Sequence, residues 1–141
     1  MKRFNTTLIS MVAIYASPIC AQDDYPALDV LLSSTTSILG QNLVYPAGQA
    51  EITSAIVTMQ PGEKTGWHKH NVPLFAYVLE GQVSVDYGPD GVKTYIEGDS
   101  FIEAFLTDHR GENTGSKVVR ILTVLAGAQG TASTVMRKIG N

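Results

Sequence analysis

Apolar and polar positions alternate along most of the chain from residue 51 onward. Between Glu51 and Gln60, Ile52, Ser54, Ile56 and Thr58 share one face and Ala55, Val57 and Met59 the other. That two-residue period belongs to a β-strand, and Pro61-Gly62 closes it with turn chemistry. Trp67 to His70 reads as the next extended piece, and Leu74 to Glu80 as a nearly continuous apolar strand. Beyond Gly81, Val83, Val85 and Tyr87 alternate with Gln82, Ser84 and Asp86. Gly88-Pro89-Asp90-Gly91 then turns the chain so that Val92 to Ile96 pairs back as a hairpin. Ser100 to Phe105 and the very apolar Val118 to Ala126 supply two more strands, and Thr131 to Met136 a possible edge. Ahead of these, Leu43 to Pro46 reads as a short edge strand ended by proline. Leu28 to Leu32 fits both a strand and a helical period.

Many short strands and no convincing helix longer than two turns predict an all-β sandwich or barrel. With 141 residues, 44% of them apolar, the chain suits one domain with a substantial core. Thirteen glycines serve the turns. At this level immunoglobulin-like and lipocalin-like folds stay open.

The amino terminus has a different character. Lys2 and Arg3 precede a mostly apolar run from Leu8 to Ala16, and Pro18-Ile19-Cys20-Ala21 offers a small residue for cleavage. Residues 1–21 therefore read as a secretory signal, with 22–141 as the mature domain in the periplasm or outside the cell. The apolar run is too short for a membrane span of about 20 residues, so no stable membrane association is expected after cleavage. An alternative, lipid attachment at Cys20, is disfavoured by Ile19 directly before it. Losing Lys2 and Arg3 takes the formal charge from −3 to −5. An acidic chain with no basic cluster excludes nucleic acid as a partner. The same cut removes Cys20, the only cysteine, so neither a disulfide nor a thiolate is expected.

Two stretches carry chemistry. Gly62-Glu63-Lys64-Thr65-Gly66-Trp67-His68-Lys69-His70 runs on to Leu79-Glu80-Gly81, and Gly98 to Asn113 places Gly98, His109 and Asn113 at fixed intervals. Residues 62–81 and 98–113 resemble the first and second motifs of the cupin superfamily. The resemblance implies a double-stranded β-helix, a jelly-roll barrel, over residues 22–141, with His68, His70 and His109 as metal ligands. It also implies a homodimer, for which Leu28 to Tyr45 is a plausible crossing element. The residues support the metal independently. On a strand His68 and His70 project together while Lys69 points away, and a third imidazole from another strand completes a set that leaves positions open for substrate. The chain has only these three histidines.

The pattern also departs from the family. Leu74 stands where the first motif has its ligand Glu, Ala104 where the second has proline, and Leu106 where it has glycine. Glu103, on the face shared by Phe101 and Phe105, is the one carboxylate placed to compensate, as a ligand or an acid–base group; a solvated or structural role is the alternative. A three-His site resembles thiol dioxygenase-like members, and one with Glu103 the three-His-one-Glu centres of oxalate-degrading members. Fe, Mn, Zn, Ni and Cu all stay open. Trp67, Phe75, Tyr77, Phe101 and Phe105 are candidates for the cavity wall or for plain core, and Tyr77 could also donate a hydrogen bond to substrate. Asn113 reads as a brace for the loop.

Three functions fit this reading: a metal-dependent enzyme acting on a small molecule by dioxygenase, isomerase or lyase chemistry, a non-catalytic module binding a metal or small ligand, and a barrel stapled by its metal. No serine–histidine–acid triad, phosphate-cradling loop or dinucleotide fingerprint is present.

Overall fold

The computed structural model describes residues 27–138, and the stretch read as a signal lies outside them. Nine strands account for the regular structure: β1 (Ala50–Met59), β2 (His68–His70), β3 (Leu74–Glu80), β4 (Gln82–Asp86), β5 (Val92–Ile96), β6 (Ser100–Ile102), β7 (Arg110–Glu112), β8 (Val119–Ala128) and β9 (Thr134–Met136). A single 3₁₀ turn, Gly88–Asp90, is the only helical element among the described residues. The strands form sheets of order β1-β8-β3-β6 and β5-β4-β7, with β2-β9 as a small third sheet, all antiparallel.

The predicted alternation decides what is buried. Leu74, Ala76 and Val78 of β3, Val83 and Val85 of β4, Phe101 of β6 and Val119 and Ile121 of β8 turn inward and share one core. Opposite them, Ile52 and Ile56 on the outer face of β1 are exposed. At the β3–β4 corner Gly81 adopts φ 79°, and a Cβ there would lie 2.5 Å from the Val118 carbonyl oxygen. Only glycine lets the first sheet pass that closely into the second.

Two predicted strands differ from what forms. Leu43–Pro46 is not a strand; that region makes one isolated bridge, Thr36 to Asn42. It is the chain upstream that meets β6, with the Ile38 N–H donating to Ile102 O at 2.8 Å and the Ser100 hydroxyl to Leu31 O at 2.9 Å. The strand at Ser100 ends at Ile102 rather than Phe105, because buried Ala104 and the turn at Leu106 lead the chain toward His109.

Candidate metal centre

Two separate segments deliver the histidines. β2 carries His68 and His70, and a pair of backbone hydrogen bonds fastens His109 across from His68: His109 N–H to His68 O at 2.8 Å and His68 N–H to His109 O at 3.0 Å. The Leu106 N–H donates to His70 O at 2.9 Å, which anchors the loop to the other end of β2. The rings gather with centroids 4.6–5.1 Å apart, and one ligand nitrogen from each lies within 4.8 Å of the other two.

Each ring is oriented through Nδ1. That atom bonds Gly66 O in His68 at 2.8 Å, the Thr134 hydroxyl in His70 at 3.0 Å and Thr107 O in His109 at 2.9 Å. A carbonyl accepts, so His68 and His109 carry their proton on Nδ1 and present a lone pair at Nε2. His109 Nε2 is buried with no hydrogen-bond partner. A buried polar atom without a partner costs on the order of 1–3 kcal/mol, and a cation shared with the neighbouring imidazoles would satisfy it. Burial lowers the pKa of all three histidines, that of His70 to about 3 with help from His109 and His68. Neutral imidazole is the ligand form. These donors fit a divalent metal: the three histidines could hold one.

Glu103 follows β6 and keeps the inward direction of Phe101, its N–H held by Leu74 O at 2.9 Å. It is buried, with Oε2 3.8 Å from His109 Nε2 and Oε1 accepting the Ala104 N–H at 2.6 Å. Burial raises its pKa, against the lowering effect of the Ala104 N–H, Tyr87 and His68.

The wall differs from the sequence reading. A cavity of about 300 Å³ opens beside the histidines, and of the five aromatic candidates only Phe101 lines it. Tyr77 does not reach it, because Leu74 and Ala76 take the inward positions of β3 and send Phe75 and Tyr77 the other way. The idea that Tyr77 donates to a substrate is therefore corrected. Trp67 lies outside as well, with the Arg110 guanidinium 4.9 Å and the Arg137 guanidinium 6.0 Å from its ring centroid; Phe105 sits past the end of β6.

A tyrosine pair near Glu103 escaped the sequence reading. Tyr87 is buried with its ring 5.9 Å from that of His109, and its hydroxyl bonds that of Tyr95 at 3.1 Å. Tyr95 stacks on Phe101 at 3.7 Å. Burial pushes both hydroxyls up, Tyr95 to about 12. The alternation places Tyr87 in the inward series with Val83 and Val85, but it does not show that the fold brings Tyr87 beside Tyr95 and His109. Asn113 braces the loop as expected: its Nδ2 donates to Met59 O and Lys117 O at 2.9 and 2.8 Å, and its Oδ1 accepts the Gly115 N–H at 3.0 Å.

The sequence pattern of the Cupin domain family matches residues 55–125, about half the chain, and covers both β2 and His109. The chain is a cupin. Comparison with curated proteins returns no match. Among solved structures, this cupin is similar to Lactobacillus farciminis oxalate decarboxylase, with 22% identity and a TM-score of 0.53 over 62% of the chain and 27% of that protein. The DMSP lyase of Ruegeria pomeroyi gives 19% identity and a TM-score of 0.52 over 60% of this chain and 42% of the lyase. A sugar phosphate isomerase of the cupin superfamily from Silicibacter pomeroyi gives 21% and 0.51 over 62% of this chain and 57% of the isomerase. The cupin thus spans less than two thirds of each of these proteins. At such identities the likeness shows the fold, the all-β cupin jelly roll.

Proposed function

We propose that this cupin is an exported metal-dependent enzyme acting on a small molecule, with His68, His70 and His109 as ligands and Glu103 as the acid–base group. The observation that carries the reading is the buried, unpartnered Nε2 of His109 among converging imidazoles. A bound divalent ion would supply Lewis acidity to a substrate oxygen. The chain's own part is to hold three neutral imidazoles by their Nδ1 atoms and to keep a carboxyl beside them. Burial favours the protonated form of that carboxyl, while a cation nearby would favour the carboxylate. Glu103 is thus suited to exchange a proton with a ligand in the cavity. Oxygen-dependent, isomerase and lyase reactions all fit this equipment. Export rests on the charged and then apolar amino terminus.

A homodimer is part of the same reading. β1 is a sheet edge bearing exposed Ile52 and Ile56, and exposed Val44 and Tyr45 belong to the segment proposed to cross. Sedimentation giving a monomer would end that element of the proposal.

The decisive experiment is elemental analysis of purified protein with the variants His68→Ala, His109→Ala and Glu103→Gln. Near-stoichiometric metal in the parent, its loss in both His variants and its retention in Glu103→Gln are expected. Metal lost from Glu103→Gln as well would make Glu103 a fourth ligand. A parent protein that retains no offered ion would overturn the metalloenzyme reading.

A further inference from the structure

The ionisable side chains lining the cavity are the three histidines and Glu103. Beyond the histidines and Glu103, its remaining polar side chains are Thr65, Thr123 and Thr134. Each hydroxyl makes one hydrogen bond to the protein: Thr65 Oγ1 accepts the Gly111 N–H at 2.9 Å, Thr123 Oγ1 donates to Ala55 O at 3.3 Å, and Thr134 Oγ1 bonds His70 Nδ1 at 3.0 Å. The Nδ1 atoms of the histidines are engaged too. The rest of the wall is hydrocarbon, with Val57, Val85, Ile121 and Leu125 from β1, β4 and β8 among it.

Among the described residues no lysine or arginine lines the cavity. Several basic groups nearby are committed elsewhere: Lys64 to Glu112 at 2.9 Å, Arg110 to Asp86 at 3.1 Å and Lys93 to the Ile38 carbonyl at 3.0 Å. A charged group placed against the hydrocarbon wall would lose its water and gain no partner. The only ionisable wall group besides the histidines is a carboxyl, which repels anions when ionised.

We propose that the ligand is a small molecule with one oxygen-donor head and an uncharged hydrocarbon body, which sets this cavity apart from sites for dicarboxylates or sugar phosphates. The head faces the imidazoles and Glu103, and the body fills the space between β1, β4 and β8. This rests on the metal-centre reading for the head; the preference for an uncharged body follows from the wall alone.

The two parts are separable by experiment. In metal-free protein, NMR titration with 1-hexanol is compared with 6-hydroxyhexanoate, which differs by a terminal carboxylate. Shifts of the Val57, Ile121 and Leu125 methyl resonances with hexanol, and none with the carboxylate at equal concentration, are expected. Equal responses, a stronger response to the carboxylate, or no response to hexanol would overturn the proposal for the body. In zinc-loaded protein, hexanohydroxamate and its ω-carboxylated counterpart present the same metal-binding head. Calorimetry should give at least tenfold tighter binding for the methyl-ended compound. Similar affinities, or no binding of either while zinc is retained, would again overturn the proposal. Failure to retain zinc, with the hexanol preference intact, would reject the metal-centre reading and leave the apolar-body assignment standing.

Discussion

Leu106 has φ 60° on the loop between Glu103 and His109, a backbone region where side chains with a Cβ are strained. It stands where the second cupin motif usually has glycine, so a departure visible in the sequence has a physical counterpart. The left-handed conformation costs a non-glycine residue about 1–2 kcal/mol, while glycine's extra freedom in the unfolded chain returns about 0.5–1 kcal/mol. Leu106 is 55% exposed, so little packing is lost on removing it. Leu106→Gly should therefore raise Tm by about 2–4 °C for a domain of this size, measured by calorimetry. Asn113 predicts the opposite sign. Its amide donates to two carbonyls while its oxygen accepts an N–H, all at a site 1% exposed. Asn113→Asp keeps the shape but removes both donors and sets carboxylate against carbonyl. A loss of about 3 kcal/mol in urea unfolding is expected, with the loop from His109 to Lys117 loosened. His68, His70, His109 and Asn113 stood out in the sequence because their spacing is that of the motif. Tyr87 did not, since its neighbourhood with Glu103 and Tyr95 exists only after β4, β5 and β6 have packed.

At the scale of elements, strands whose own side chains alternate were legible, and those defined by distant partners were not. β3 and β5 have the limits that alternation and turn residues predict, Leu74–Glu80 and Val92–Ile96. Leu43–Pro46 has strand-forming residues but does not pair with β6, where the upstream Ile38 N–H already takes the Ile102 carbonyl. The shortest strand pair shows why such long-range pairing matters to the site. β9 docks antiparallel on β2, with His68 opposite Met136 and His70 opposite Thr134, and so puts the Thr134 hydroxyl on His70 Nδ1. Thr134→Val keeps the volume and the β-branching but removes that partner. Outer hydrogen bonds of this kind tune metal affinity by about 10–100-fold. A competition titration with a chromophoric chelator should show weaker metal binding by about that factor, with the unfolding midpoint of the metal-free protein little changed. Unchanged affinity would mean that Thr134 does not orient His70 for a metal.

For the whole molecule, placing three neutral imidazoles in one barrel makes stability depend on pH in a defined direction. His68, His70 and His109 are depressed from the ordinary 6.5, His70 to about 3. Below pH 6.5 the unfolded chain takes up protons that the folded metal-free protein resists. Stability is therefore fully present above 6.5 and is lost as pH falls toward 3, by about 1.4 kcal/mol per pH unit for each proton by which the states differ. Glu103 acts the other way: its pKa is raised from 4.5, so its contribution is fully present below 4.5 and declines as pH rises through the folded value. Three histidines outweigh one glutamate, and unfolding of the metal-free protein between pH 7 and 5 should show falling stability on acidification. Metal sharpens the effect. A ligand that binds only the folded state adds about 2.7 kcal/mol at a concentration one hundred times its Kd, and protons compete with it for the same nitrogens. The rise in Tm on adding metal should thus be large at pH 7, shrink steadily toward pH 5, and vanish at every pH in His109→Ala. A metal-induced rise that is independent of pH, or that survives in that variant, would place the ion somewhere other than on these imidazoles.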